Sequence, residues 1–172
     1  MHGGGYYRGS VAATRATVAR ISAEAKVKCL SIDYRLAPEH PFPAAIDDTY
    51  SAYQWLINQD INPKHIIVSG QSAGGGLCLA LLLKIKENNI PQPLGAVALS
   101  PWTDLSQSGK TMIKNEKIDP IISKKYLDRF AKLYFPDLSN MSHLASPIIG
   151  ELSGLPDILI QVGSAETMLD DS

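Results

Sequence analysis

Residues 66–76 read IIVSGQSAGGG, and this segment constrains the fold more than any other part of the chain. A run of apolar, mostly β-branched residues leads into Gly70-Gln71-Ser72-Ala73-Gly74, and an apolar stretch of helical length follows. The pattern predicts a strand, a tight turn flanked by glycines, and a helix. Such a turn lifts the serine above the sheet, beside free helical N–H groups that favour a developing anion. Ser72 is therefore the candidate nucleophile, and a serine that merely caps the helix is the alternative.

Apolar periodicity elsewhere predicts helices that alternate with strands. The predicted helices cover residues 11–25, 44–58, the stretch after Ser72 and 123–134, and the predicted strands cover 28–34, 65–69, 94–100 and 157–162. Four strands separated by helices indicate an α/β protein with a parallel sheet covered on both faces. The helix after Ser72 is apolar nearly all round, so we expect it to be central and buried.

A long segment separates the third and fourth predicted strands. It exceeds a normal connection in a compact α/β unit, so residues 103–146 are predicted to form a lid or cap insertion. The 172 residues, with this insertion included, amount to one domain by the usual length prior.

Composition excludes several classes of partner. A formal net charge of −1 leaves no basic footprint for nucleic acid, and no apolar run approaches the roughly 18 residues of a membrane span. Cys29 and Cys78 lie in apolar stretches without metal-ligand spacing and are predicted to be buried and unpaired. The N-terminal residues lack the pattern of a signal peptide, which makes a cytoplasmic location the default expectation.

Four blocks of the sequence resemble the hormone-sensitive-lipase-like esterases of the α/β-hydrolase fold. They read HGGGYYRGS, DYRLAPEHPFPAAIDD, GQSAGGG and LPDILIQVGSAE, and they begin at residues 2, 33, 70 and 155. The resemblance covers essentially the whole chain and implies a partial α/β-hydrolase domain over residues 1–172. It places the first strands and a C-terminal histidine segment outside the chain. Gln71 departs from the family, most of whose members have Asp before the serine.

The resemblance also implies roles for residues around the serine. Gly4 and Gly5, together with the amide of Ala73, form the oxyanion hole, and His2 orients that loop. The acid of the triad falls at Glu166, just after the last strand, where many members have Asp. Asp170 and Asp171 compete with Glu166, and an acidic first turn that stabilises a helix is the alternative for all three.

A general base is not assigned within the chain. A serine triad needs an imidazole that accepts the serine proton and returns it to the leaving group. The four histidines are His2, His40, His65 and His143, and none has a suitable position in the predicted fold. The resemblance places the base beyond the acid strand, outside these residues.

Other charged and aromatic residues have structural interpretations. We expect Asp33, Arg35 and Glu39 to form an ion-pair network that fixes the proline-rich loop, with a substrate-carboxylate clamp at Arg35 as the alternative. Aromatic residues near the glycine loop and the third strand either pack in the core and lid or line an acyl pocket. These are Tyr6, Tyr7, Trp102 and Phe130.

These inferences together predict a serine hydrolase of carboxylic esters with short to medium acyl chains, needing no metal or organic cofactor. The expected partner is a small-molecule ester, homodimerisation of the intact protein is left open, and residues 1–172 alone are expected to be inactive. Two alternatives remain: an amidase-type acyl hydrolase, and a non-enzymatic receptor of the same fold that binds a small molecule.

Overall fold

A computed structural model describes all 172 residues. The helices are α1 (Val11–Ala25), α2 (Ala44–Asn58), α3 (Ala73–Glu87), α4 (Thr111–Lys114) and α5 (Lys124–Tyr134). The strands are β1 (Ile67–Gln71), β2 (Gly95–Leu99) and β3 (Asp157–Gln161), and short 3-10 turns lie at Pro63–His65, Leu138–Asn140, Pro147–Ile149 and Thr167–Asp171. None of the helices is both long and apolar enough to cross a membrane.

The three strands form one parallel sheet in the order β1-β2-β3. Gln71 is level with Leu99, and Leu99 is level with Gln161, so all three strands end at the same edge. The carboxyl ends of neighbouring parallel strands are where α/β proteins place their binding groups. This register therefore brings the residues after each strand into one row.

Helix α3 is the centre of the core, as the sequence predicts. Every residue from Ala73 to Leu83 is buried, and the helix packs against β1, β2 and α2. Its burial fixes the direction of the turn that precedes it, because a helix enclosed on all sides cannot rotate without opening the core.

Residues 28–34 do not form the predicted strand. Their backbone pairs with none of the three strands, and Lys28, Cys29 and Leu30 are exposed. A strand requires a hydrogen-bonded neighbour, which the local sequence does not reveal. The sheet of this chain thus has three strands instead of four. The prediction of a buried Cys29 is wrong for the same reason, whereas Cys78 is buried in α3 and both thiols are free.

The prediction that Arg35 forms an ion-pair network with Asp33 and Glu39 is also wrong. The guanidinium and the backbone N–H of Arg35 both donate to Asp48, with distances of 2.8 Å from Nη2 to Oδ1 and from N to Oδ2. Burial raises the pKa of Asp48, but hydrogen bonds from Arg35 outweigh it and lower that pKa below its ordinary value. Asp33 instead accepts a hydrogen bond from the N–H of Val11 at the start of α1.

The connection between β2 and β3 packs much of its apolar content into the main core. Trp102, Leu105, Met112 and Leu127 are all buried there. A lid or cap role for residues 103–146 stays a prediction.

Candidate active site

Ser72 lies in the turn between β1 and α3 with φ 54° and ψ −123°. A positive φ is uncommon for a residue other than glycine and marks strained turns at functional sites. The turn is so tight that a Cβ on Gly70 would lie 2.1 Å from the carbonyl oxygen of Gly74. The Ser72 side chain makes no capping hydrogen bond to α3, so the capping alternative is wrong. Its hydroxyl is free to act on another molecule.

Gly3, Gly4 and Gly5 form a loop that lies directly against this turn. A Cβ on Gly3 would be 3.3 Å from the Ser72 Cβ and 3.0 Å from the Gln71 carbonyl oxygen. Gly4 has φ +120°, which a side chain rarely permits, and a Cβ there would lie 2.0 Å from the Arg8 carbonyl oxygen. Backbone alone therefore borders the serine on this side.

His2 contacts the backbone of the glycine loop. The residue is buried, its ring stacks on Tyr34 at 4.2 Å, and its Nδ1 lies 2.8 Å from the Gly3 carbonyl oxygen. The Tyr34 hydroxyl donates to the His2 carbonyl oxygen at 2.7 Å. These contacts fit a residue that orients the glycine loop, and they leave the imidazole almost entirely buried.

The aromatic residues divide into two groups. Tyr6 and Trp102 are fully buried, and Tyr6 stacks on Tyr134 at 3.8 Å, so these are core residues. Tyr7 and Phe130 stack at 5.3 Å, and Phe130 lies beside Gly5, whose added Cβ would be 2.7 Å from its ring. This second pair borders the glycine loop on its outer side.

Glu166 follows β3, and its carboxylate is held through one oxygen. Oε1 accepts hydrogen bonds from the Ser100 hydroxyl at 2.9 Å and from the Gly163 N–H at 2.8 Å. The Asn115 side-chain amide donates to the Glu166 carbonyl oxygen at 2.8 Å, which fixes the backbone. The carboxylate faces a cleft of about 300 Å³ lined by Leu99, Ser100, Gln161, Val162 and Gly163.

Asp170 and Asp171 are engaged in holding loops together. Asp170 Oδ2 accepts from the Thr111 N–H at 2.9 Å. Asp171 Oδ2 accepts from the N–H groups of Thr103 and Asp104 at 2.9 and 3.0 Å, and burial raises the pKa of Asp171 to about 7. Neither carboxylate shares the cleft beside Ser100.

Two backbone hydrogen bonds relate the turn at Ser72 to the end of β3. The Ser72 N–H donates to Leu99 O at 2.9 Å, and the Ser100 N–H donates to Gln161 O at 2.7 Å. Ser72, Ser100 and Glu166 thus follow three adjacent strands, and two strand spacings amount to about 10 Å. An imidazole hydrogen-bonded on both sides fits a gap of this order.

The four histidines have other surroundings. His40 is exposed in the proline-rich loop, His65 lies before β1 at the opposite end of the sheet, and His143 pairs with Glu87 at the end of α3. His2 supports the glycine loop. No imidazole of this chain hydrogen-bonds to Glu166, whose carboxylate accepts from Ser100 and Gly163. That the base lies outside the chain stays a prediction.

Sequence reasoning missed Ser100 as the partner of Glu166. The signal available was a serine directly before a proline at the carboxyl end of β2, the strand between β1 and β3. It also missed that Thr103 and Asp104 anchor Asp171. These contacts join residues that are separated by 68 and 67 positions along the chain.

A family model described as the alpha/beta hydrolase fold matches residues 1–172, the whole of the chain. The chain belongs to the alpha/beta hydrolase fold family. The parallel sheet, the buried α3 and the strained serine turn are the parts of this α/β-hydrolase domain that the chain contains.

Curated relatives of this α/β-hydrolase domain carry the names of hydrolases. An esterase of Acinetobacter venetianus is 39% identical over 173 residues, which cover 100% of this chain and 57% of the relative. An acetyl-hydrolase of Streptomyces hygroscopicus is 37% identical over 172 residues, covering 100% of this chain and 58% of the relative. The chain therefore spans a little over half the length of these relatives.

Solved structures match the fold closely. An esterase from the bacterial hormone-sensitive lipase family is 42% identical with a TM-score of 0.97, over 99% of this chain and 58% of that chain. The esterase EstE5, in crystals soaked with p-nitrophenyl butyrate, is 41% identical with a TM-score of 0.96, over 100% of this chain and 58% of that chain.

Proposed function

We propose that this α/β-hydrolase domain belongs to a serine hydrolase of carboxylic esters with short to medium acyl chains. The observation that carries the proposal is the strained, uncapped Ser72 against the glycine loop, with the Gly3 Cβ position 3.3 Å from the Ser72 Cβ. Relatives named esterase and acetyl-hydrolase support the same class of reaction.

In the proposed first step, Ser72 Oγ attacks the ester carbonyl carbon and transfers its proton to an imidazole. The carbonyl oxygen becomes an oxyanion that accepts hydrogen bonds from the N–H groups of Gly4, Gly5 and Ala73. Each such donor typically contributes about 2.7–4 kcal/mol to the transition state. The imidazole then protonates the leaving alkoxide, which departs as an alcohol and leaves an acyl-serine.

In the second step, water replaces the alcohol. The imidazole removes a proton from water, the resulting hydroxide attacks the acyl-serine, and the carboxylic acid leaves as Ser72 regains its proton. No metal or organic cofactor takes part in these steps.

We infer that Glu166 is the acid and that a histidine outside residues 1–172 is the base. The Glu166 carboxylate faces an open cleft two strands from Ser72, whereas Asp170 and Asp171 bond to Thr111, Thr103 and Asp104. A carboxylate in this position orients the imidazole and stabilises its protonated form. No histidine of the chain lines that cleft.

The test is hydrolysis of p-nitrophenyl butyrate by the intact protein and its Ser72→Ala variant. We expect kcat to fall by about 10⁶ in the variant, since loss of the nucleophile costs about as much as loss of the whole triad. Phenylmethylsulfonyl fluoride should label the wild-type peptide that contains Ser72 and leave the variant unlabelled, as measured by mass spectrometry.

The matched control is Ser51→Ala, an exposed serine of α2 whose hydroxyl only donates to Asp47 O within the helix. This variant should keep wild-type activity. Undiminished hydrolysis by Ser72→Ala would refute the proposal. Binding of an ester without turnover by the wild type would favour the receptor alternative, and faster cleavage of the matched butyryl anilide would favour an amidase.

A further inference from the structure

We propose that Ser100 is a positioning residue that fixes which oxygen of the Glu166 carboxylate faces the base. The inference rests on the proposed function, because it assigns Ser100 a role through the proposed acid. It concerns a residue outside the nucleophile turn, the oxyanion loop and the acid itself.

The Glu166 carboxylate accepts its hydrogen bonds through one oxygen only. Oε1 accepts from the Ser100 hydroxyl at 2.9 Å and from the Gly163 N–H at 2.8 Å. A carboxylate oxygen has two lone-pair sites, so these two donors occupy Oε1. Oε2 has no partner among the residues of the chain and is left for an imidazole N–H.

The two donors come from different elements. Gly163 belongs to the same turn as Glu166, so its N–H alone would let the carboxylate swing with the turn. Ser100 follows β2, and its own N–H donates to Gln161 O at the end of β3 at 2.7 Å. The hydroxyl therefore ties the acid to the middle strand, which also bonds to the Ser72 N–H through Leu99 O.

The backbone of Ser100 is held in a strained conformation. Its φ is +44°, in the left-handed region that is unfavourable for a residue with a side chain. Glycine would remove this cost but has no hydroxyl. Ser100 thus adopts an unfavourable backbone conformation, and its side chain is the one that reaches the Glu166 carboxylate from the end of β2.

The experiment compares Ser100→Ala and Ser100→Gly in the intact protein, each with and without Glu166→Ala. Both single variants lack the hydroxyl, and only the glycine variant relieves the backbone. We expect kcat to fall about tenfold in both, the scale of one hydrogen bond to a charged group, with KM unchanged within about twofold. In the Glu166→Ala background, neither substitution should lower kcat further, because the partner is already absent.

Two results would overturn the inference. A wild-type kcat in Ser100→Gly would show that the Ser100 hydroxyl does not contribute to the rate. An equal fall of kcat with and without the Glu166 carboxylate would show that the substitutions act through the structure in general and not through Glu166. Urea unfolding of each variant identifies a folding defect. Ser72→Ala separates this inference from the proposed function: if it abolishes hydrolysis while Ser100→Gly is unchanged, the inference about Ser100 alone fails. If it leaves hydrolysis intact, the proposed function fails as well.

Discussion

Asp171 is a buried carboxyl group that holds two loops together at a cost that depends on pH. Burial raises its pKa to about 7, and the hydrogen bonds from Asp104 and Thr103 lower it only in part. Its second oxygen, Oδ1, is buried without a partner. Ionisation of this group is therefore less favourable in the folded protein than in the unfolded chain.

We predict that stability falls as the pH rises from about 4 to about 7 because of this residue. In that range the unfolded chain has released the Asp171 proton while the folded protein keeps it, and above pH 7 the difference is constant. At about 1.36 kcal/mol per unit, the shift corresponds to a cost on the order of 4 kcal/mol at pH 8. Asp171→Asn should therefore remove most of this slope, as measured by urea unfolding of the intact protein at pH 5 and pH 8.

The control for this prediction is Asp60→Asn, an exposed aspartate in the turn after α2. The free energy of unfolding of this variant should depend on pH as that of the wild type does. An Asp171→Asn protein with the same slope as the wild type would contradict the prediction.

Ser72 and the flanking glycines could be predicted from the sequence because a short local pattern determines their turn. Ser100 could not, since its importance arises from a side chain 66 positions away that meets it only across the sheet. Arg35 is a similar case: five acidic residues lie within 13 positions along the chain, and the placement of α2 decides that Asp48 is the partner.

At the level of elements, α1 and α3 have equal lengths and opposite surroundings. Each has 15 residues, yet 12 residues of α3 are buried and none of α1. The apolar pattern of α3, which runs nearly all round, predicts this burial. The sparser stripe of α1, with Val11, Val18 and Ile21, correctly predicts a helix, but its burial depends on what lies against it.

We predict that Leu82→Ala in α3 lowers the free energy of unfolding by about 2–5 kcal/mol, the usual cost of a cavity at a fully buried leucine. Ile21→Ala in α1 is the matched substitution, at a side chain that is 45% exposed, and should cost about 0.5 kcal/mol or less. Urea unfolding of residues 1–172, the chain in which these exposures hold, measures both. Equal losses would contradict the difference in burial described for the two helices.

The prediction of a strand at residues 28–34 is wrong because a strand needs a paired neighbour, which its own sequence does not specify. A helix makes its hydrogen bonds within itself, so α2, α3 and α5 could be located from their own periodicity. A strand depends on a neighbour, and β1, β2 and β3 are mutual neighbours, whereas residues 28–34 pair with none of them.

At the scale of the whole molecule, the sheet exposes apolar side chains on its two outer strands. Ile67 on β1 is 58% exposed and Leu159 on β3 is 63% exposed. Exposed apolar surface on outer strands favours association with other chains. The relatives are longer, since this chain covers 57% and 58% of the first two.

We predict that residues 1–172 produced alone hydrolyse p-nitrophenyl butyrate more slowly than the intact protein by on the order of 10⁴–10⁶, because a triad member is absent. The isolated chain should also bind a hydrophobic dye more strongly. Circular dichroism on the same sample reports whether the helices have formed. A rate within about tenfold of the intact protein would show that one of the four histidines serves as the base.

The position of β2 between the other two strands has a consequence for how such a protein can diversify. The spacing of the ends of β1 and β3 is set by ladder hydrogen bonds from β2 to its neighbours. The long connection from β2 to β3 holds the loop that carries Glu166, because the Asn115 amide donates to Glu166 O and Asp119 accepts from the Thr167 N–H. A change in the connection that keeps Asn115 and Asp119 leaves those two hydrogen bonds to the loop in place, whereas a change that removes them releases the loop on this side. Such a protein can therefore vary between β2 and β3 only where this segment contacts neither the loop after β3 nor the buried core.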